Sequence, residues 1–243
     1  MSFSTLSFSL LGGVLPALFW LWFWLREDRL HPEPRRLIIL SFLLGMAAVL
    51  VAVPMEQSLC GRIMGNSGTG CAMELPLTGK VFAIIVGLSV IEEVLKFAAS
   101  YFGALRRRDN DEPIDSLIYL ITVALGFAAL ENTLFLAGAI KTGGIIAGFD
   151  IGVLRFIGAT LLHVVSSGAL GFFLALGFYQ RGKIRKVDAA VGVLAAILLH
   201  TLFNLFILNN EASGLHLFSV FAFVWLAVVL LLIGFEKVKQ FKG

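Results

Sequence analysis

Apolar residues dominate long blocks of this chain, and short polar connections punctuate them. A helix needs roughly 20 residues to cross a hydrocarbon core of about 30 Å. Blocks of that order occupy 6–25, 36–54, 79–104, 115–140, 150–180, 187–208 and 214–235. They predict an all-α, polytopic transmembrane helical bundle of about seven spans. The blocks at 115–140 and 150–180 can each be one tilted helix or a helix plus an interfacial segment, so the range is six to eight. The first block reads as a retained helix: no Lys or Arg precedes it, a basic cluster follows it, and no small-x-small cleavage site closes it. No internal repeat is visible, so residues 1–243 are read as a single integral-membrane domain.

Composition agrees with this pattern. The chain is 58% hydrophobic and 14% charged, with mean hydropathy +0.92, which excludes an ordinary soluble domain. Charge placement adds orientation. Arg26, Arg29, Arg35 and Arg36, then Arg106, Arg107 and Arg108, then Arg181, Lys183, Arg185 and Lys186, then Lys237, Lys239 and Lys242 fall in alternate connections. The opposite connections carry only Arg62, Lys80 and Lys141. Under the positive-inside rule the N-terminus lies outside and the C-terminus is cytoplasmic. The net charge of +3 therefore reports topology, and nucleic acid is not an expected partner. The two cysteines, Cys60 and Cys71, both fall in the largest external loop expected, where an oxidising compartment allows a disulfide staple.

Against this apolar background the ionisable residues stand out. A charge at the bilayer centre costs about 2.5–3.5 kcal/mol on insertion scales, so Glu92, Glu93, Lys96 and Glu131 must face the bundle interior, pair or be neutralised. Counting inward at about 1.5 Å per residue, Glu92 and His163 lie near 20 Å, Glu131 near 14 Å and His200 near 12 Å. Four helices thus bring carboxylates and imidazoles to one layer. Glu92 and Lys96 are four apart, Glu93 and Lys96 three apart, and His200 and Asn204 four apart, so each pair shares a face. Lys96 can neutralise one carboxylate and leave the other free as a base. The alternative is polar glue between helices. On that reading Asn132 and Asn204 are bridges, Arg155 snorkels to the interface, and Ser166 and Ser167 beside Gly168 and Gly171 are small packing residues. Asp115, Asp150 and Asp188 stand at expected helix starts and read as caps.

Glu with two His can hold a divalent metal such as zinc, or activate water directly, with Glu as base and His and Asn stabilising an oxyanion. Both routes end in hydrolysis and both stay open. There is no His-Glu-x-x-His pair. Midplane carboxylates and histidines also build proton-coupled transporters, and a silent scaffold binding partner helices through Gly/Ser/Ala faces is a third reading.

Ile91-Glu92-Glu93-Val94-Leu95-Lys96, Asp111-Glu112-Pro113-Ile114-Asp115 and Gly126-Phe127-Ala128-Ala129-Leu130-Glu131-Asn132 resemble the run shared by the PrsW family of intramembrane proteases. Arg155 with Leu162-His163, and Leu199-His200-Thr201-Leu202-Phe203-Asn204, resemble its remaining motifs. The match spans 91–204, inside a motif-bearing core at 79–210. In motif layout the family is similar to the CAAX prenyl-proteases, the bacteriocin-immunity-type membrane proteases and the multipass scaffold subunit of γ-secretase. The resemblance implies an intramembrane endopeptidase of the prokaryotic cytoplasmic membrane that cuts membrane-tethered regulatory proteins such as anti-sigma factors. It makes Glu92 and Glu93 the catalytic carboxylates, Glu131 and His163 further members of the site, and His200 with Asn204 the closing pair. Lys96 is then the counter-ion, with Asn132 and Arg155 in support. Any zinc would be held by His163, His200 and Glu131; a metal-independent glutamate mechanism is equally compatible with the resemblance.

Overall fold

The computed structural model describes residues 3–29, 31–65, 77–180, 182–208 and 214–241, with the backbone alone for 214–217. All regular structure among the described residues is helical: α1 (Phe3–Trp24), α2 (Arg35–Met64), α3 (Gly79–Ser100), α4 (Pro113–Leu154), α5 (Thr160–Leu176), α6 (Lys183–Leu208) and α7 (Gly214–Val238). A π-helical turn at Tyr101–Leu105 continues α3, and another at Arg155–Ala159 joins α4 to α5. Among the described residues, five stretches are long and apolar enough to cross a membrane: Phe3–Trp24, Arg35–Met64, Pro113–Leu176, Lys183–Ile207 and Phe218–Val238. The distribution of polarity is that of a protein solvated by lipid. Phe3, Leu50, Phe102, Ile146 and Phe149 are exposed, whereas Glu92, Glu93, Lys96, His163 and His200 are buried. The chain is an integral membrane protein.

α4 is the central pillar. Residues 113–129 are buried without interruption, as expected of a helix apolar on every side, and α1, α2 and α5 pack around it. Gly144 breaks this helix, with φ 78° and ψ −173°, a conformation that favours glycine. The chain reverses there. Ile140 meets Gly148, Leu136 meets Gly152 and Leu117 meets Gly171, pairs arranged symmetrically about residue 144. The α4/α5 segment is therefore an antiparallel hairpin, and this reversal fixes which residues of its two arms can meet. The expected spans at 115–140 and 150–180 sit on those two arms, with helix continuing between them instead of a polar loop.

Close approach elsewhere depends on glycine. A Cβ at Gly126 would lie 1.9 Å from the Phe42 carbonyl oxygen, and one at Gly45 would lie 2.0 Å from that of Val123. The backbones of α2 and α4 touch through these two positions, as small residues allow in membranes. Gly126→Ala is expected to lower stability by at least about 1–3 kcal/mol, the usual penalty of overpacking. A thermal melt in detergent reads this as an earlier transition, and an unchanged melting temperature would contradict the contact.

Three sequence expectations change. α2 runs ten residues past the expected end at 54, to Met64, and ends on Gly65 in the left-handed region at φ 77°. Cys60 and Glu56 are thus helical rather than in a loop; Cys60 is buried and is not a free thiol, while Cys71 and the loop 66–76 lie outside the described residues. Asp115 does cap, accepting the Glu112 amide at 2.7 Å and the Asp111 amide at 2.8 Å. Asp150 and Asp188 do not start helices, because α4 continues through the former and α6 begins five residues before the latter.

Candidate active site

α3 contributes Glu92, Glu93 and Lys96 to the interior, and the two glutamates have different surroundings because they point about 100° apart around the helix. Glu93 is saturated. Its Oε1 accepts from Lys96 Nζ at 2.6 Å, His200 Nδ1 at 2.7 Å and Ser166 Oγ at 2.9 Å, and Ser167 Oγ reaches Oε2 at 3.5 Å. Glu92 is the opposite: it is 6% exposed, and its Oε2 is buried with no hydrogen-bond partner among the described residues. That oxygen lies 3.9 Å from His163 Nδ1 and 3.8 Å from His200 Nε2.

The hairpin supplies the other wall. Glu131 and Asn132 on α4 face the π turn and α5, where Arg155 Nε donates to Asn132 Oδ1 at 2.5 Å and Arg155 Nη2 donates to Glu131 Oε2. Asn132 Nδ2 donates to Thr160 Oγ1 at 2.9 Å. A π turn adds a residue to the helical ladder, and here it lets Arg155 and Thr160, five apart, address the same asparagine. The Thr160 backbone amide and hydroxyl both bond the Arg155 carbonyl, and Trp20 Nε1 of α1 donates to the Phe156 carbonyl at 3.3 Å. The Arg155 guanidinium also lies 3.9 Å above the Phe135 ring centre. The snorkelling alternative for Arg155 is replaced by a fixed ion pair, and Ser166 and Ser167, read as packing residues, are donors to Glu93.

Hydrogen bonding fixes the imidazole roles. An ammonium has no lone pair, so Lys96 Nζ, at 2.9 Å, donates to His163 Nδ1, and His163 Nε2–H donates to Glu131 Oε2 at 3.0 Å. His200 donates through Nδ1 to Glu93, leaving the Nε2 lone pair toward Glu92. The two rings stand 5.3 Å apart at 81°. Counting charges, Glu92, Glu93 and Glu131 face Lys96 and Arg155, and the carboxylate left without a counter-charge is the one with the orphaned oxygen. Glu131 and Arg155 are the least buried members, with side chains 19% and 16% exposed, so the cluster opens on their side.

Glu92, His163 and His200 each offer a ligand atom within 4.8 Å of the others. Ligands about 2.0–2.1 Å from a tetrahedral zinc stand roughly 3.4 Å apart, close to the 3.8 and 3.9 Å spacings here. Each imidazole also has a carboxylate behind it, Glu131 for His163 and Glu93 for His200, the arrangement that orients metal-binding histidines. The donor set fits a zinc ion, with Glu92 rather than Glu131 as its carboxylate. Asn204 lies one turn beyond His200, half-buried, and makes no hydrogen bond to the cluster among the described residues. Sequence reading missed Glu56. It is half-buried on α2 and interacts electrostatically with Glu131 and Lys96; an acidic residue just past Pro54 was its only signal, hidden by ending the span too early.

Comparison with known proteins places the chain in a family. The family described as PrsW family intramembrane metalloprotease matches residues 33–233. Protease PrsW of Geobacillus kaustophilus (strain HTA426) is 25% identical over 237 residues, covering 97% of this chain and 93% of the relative. Protease PrsW of Bacillus subtilis (strain 168) is 24% identical over 215 residues, covering 88% and 89%, and that of Clostridioides difficile (strain 630) is 24% identical over 231 residues, covering 94% and 89%. No solved structure matches. With its family signature extending over most of its length, this chain belongs to the PrsW family of intramembrane metalloproteases and is a peptidase.

Proposed function

We propose that the chain is an intramembrane endopeptidase whose hydrolytic centre is Glu92, flanked by His163 and His200. The observation carrying this is the buried, unpartnered Glu92 Oε2 facing two imidazole nitrogens. Glu92 Oε2 takes the proton of the attacking water and delivers it to the leaving amine. His200 Nε2 holds that water in line, and the Glu93 carboxylate keeps the ring in the required tautomer. Lys96 holds Glu93 and His163 together, while Glu131 and Arg155 orient His163 at the open edge. Asn204, on the His200 face of α6, is the amide available to the oxyanion.

Two observations bear on the metal. The carboxylate-backed imidazoles favour a zinc ion on Glu92, His163 and His200, which when bound would acidify water and polarise the carbonyl. Lys96 Nζ, at 2.9 Å from His163 Nδ1, occupies the lone pair that ion needs and favours the metal-independent route.

The substrate is a membrane-tethered protein of the anti-sigma-factor kind, presented to the Glu131 side. The fold supports seven crossings: the α4/α5 hairpin supplies two and α3 completes the set, with the N-terminus outside the prokaryotic cytoplasmic membrane and the C-terminus inside. Residues 1–243 form one domain, with the catalytic core at 79–210.

The test is metal content of purified protein by mass spectrometry, beside cleavage of a single-pass reporter in liposomes. About one zinc per chain, lost in His163→Ala/His200→Ala, assigns the metal route; cleavage without zinc assigns Glu92 as the base. Neither zinc nor cleavage would overturn the reading and leave the scaffold alternative.

A further inference from the structure

A second carboxylate cluster lies far from the hydrolytic centre. Asp115 precedes Glu131 by sixteen residues on the same helix, about 24 Å at the helical rise. Around it, Asp28 and Glu33 come from the α1–α2 connection, and the three carboxylates each offer an oxygen within 4.8 Å of the others. Prolines on both sides, Pro32 and Pro34, restrict the backbone at Glu33, and buried Tyr119 donates its hydroxyl to Glu33 Oε2. Asp115 Oδ2 is held by the Asp111 and Glu112 amides.

Proximity of acids alone would mean little, but Asp28 adds an independent sign. It is only 6% exposed, and its Oδ2 is buried with no hydrogen-bond partner among the described residues. Two neighbouring side chains are paired with other acids: His31 faces Glu112 at 3.2 Å and Arg36 faces Asp109 at 3.5 Å. Three carboxylates converging around an orphaned oxygen form a cradle for positive charge.

We propose that Asp28, Glu33 and Asp115 bind a hard divalent cation, of the Ca²⁺ or Mg²⁺ kind, at the end of the bundle where the α1–α2 connection meets the start of α4. All-oxygen donors select hard cations over zinc. Oxygens on opposite sides of one Ca²⁺, each about 2.3–2.6 Å away, stand roughly 4.6–5.2 Å apart, so carboxylate oxygens within 4.8 Å of one another can share one ion. A bound ion clamps the first connection to α4, which carries Glu131.

The test is equilibrium binding of radioactive Ca²⁺ to the full-length, EDTA-treated protein in detergent, with Mg²⁺ as competitor and a calcium-dependent thermal melt of the unmodified protein. The expected result is one saturable Ca²⁺ per chain, displaced by Mg²⁺ and raising the melting temperature. Asp28→Asn and Glu33→Gln, each checked as monodisperse, should weaken uptake at least tenfold, and Glu92→Gln should leave it unchanged. Because Glu92→Gln removes the hydrolytic carboxylate, this readout stands or falls independently of the protease mechanism. No saturable uptake and no melting shift in the unmodified protein would overturn the proposal. Uptake lost in Glu92→Gln but kept in Asp28→Asn would overturn it too, by assigning the cation to the intramembrane centre.

Discussion

Glu92→Gln should reduce cleavage of a membrane-tethered reporter by about 10²–10⁴-fold, the range that a positioned acid–base group contributes, while leaving the melting temperature in detergent essentially unchanged. The substitution preserves shape, and the Glu92 Oε2 it alters has no hydrogen bond to lose among the described residues. Glu93→Gln should behave differently, although it is the adjacent residue. Its carboxylate is the shared acceptor of Lys96, His200 and Ser166, so an amide there disturbs the His200 tautomer and strands an ammonium. Activity and melting temperature should fall together. Full activity in Glu92→Gln would sink the assignment of Glu92, whichever role Glu93 then proved to have.

Removing the lysine tests the same network from the opposite charge. Lys96→Met takes away the buried ammonium, 1% exposed, that bonds Glu93 and His163 and lies 5.0 Å over the Phe127 ring. Breaking a buried pair leaves an uncompensated charge, at a cost of about 3–5 kcal/mol. The variant should therefore express poorly or melt much earlier. Lys96→Met/Glu93→Gln removes both charges and should recover most of that loss, since partners in one network are strongly non-additive. Equal melting temperatures for the single variant and the unmodified protein would show that Glu93 does not depend on Lys96 for its charge.

The order of apolar blocks and the alternation of basic connections were enough to identify a membrane bundle, because lipid imposes a length and a polarity that any spanning segment must display. The unusual residues were legible for the same reason: Glu92, Glu93, Lys96, Glu131, His163 and His200 are conspicuous only against hydrocarbon. Their motif order also carried the family. Helix ends were less legible, as in α2, where an apolar run passes through Pro54 and continues to Met64, bringing Glu56 near the site.

Side-chain partnership lay beyond the sequence. Spacing allowed Lys96 to pair with either glutamate at i,i+3 or i,i+4, and only the positions of Ser166, Ser167 and His200 on neighbouring helices make Glu93 the saturated acceptor and leave Glu92 Oε2 buried without a hydrogen bond among the described residues. The pairing of Glu131 with Arg155 likewise follows from the reversal at Gly144, which sets the two arms of the hairpin against each other. Asp115 is separated from Asp28 and Glu33 by the whole of α2 and α3, and nothing local announces that they converge. Local composition determined which residues must be buried in lipid, whereas the packing of separate helices decided which buried carboxylate finds hydrogen-bond partners and which does not.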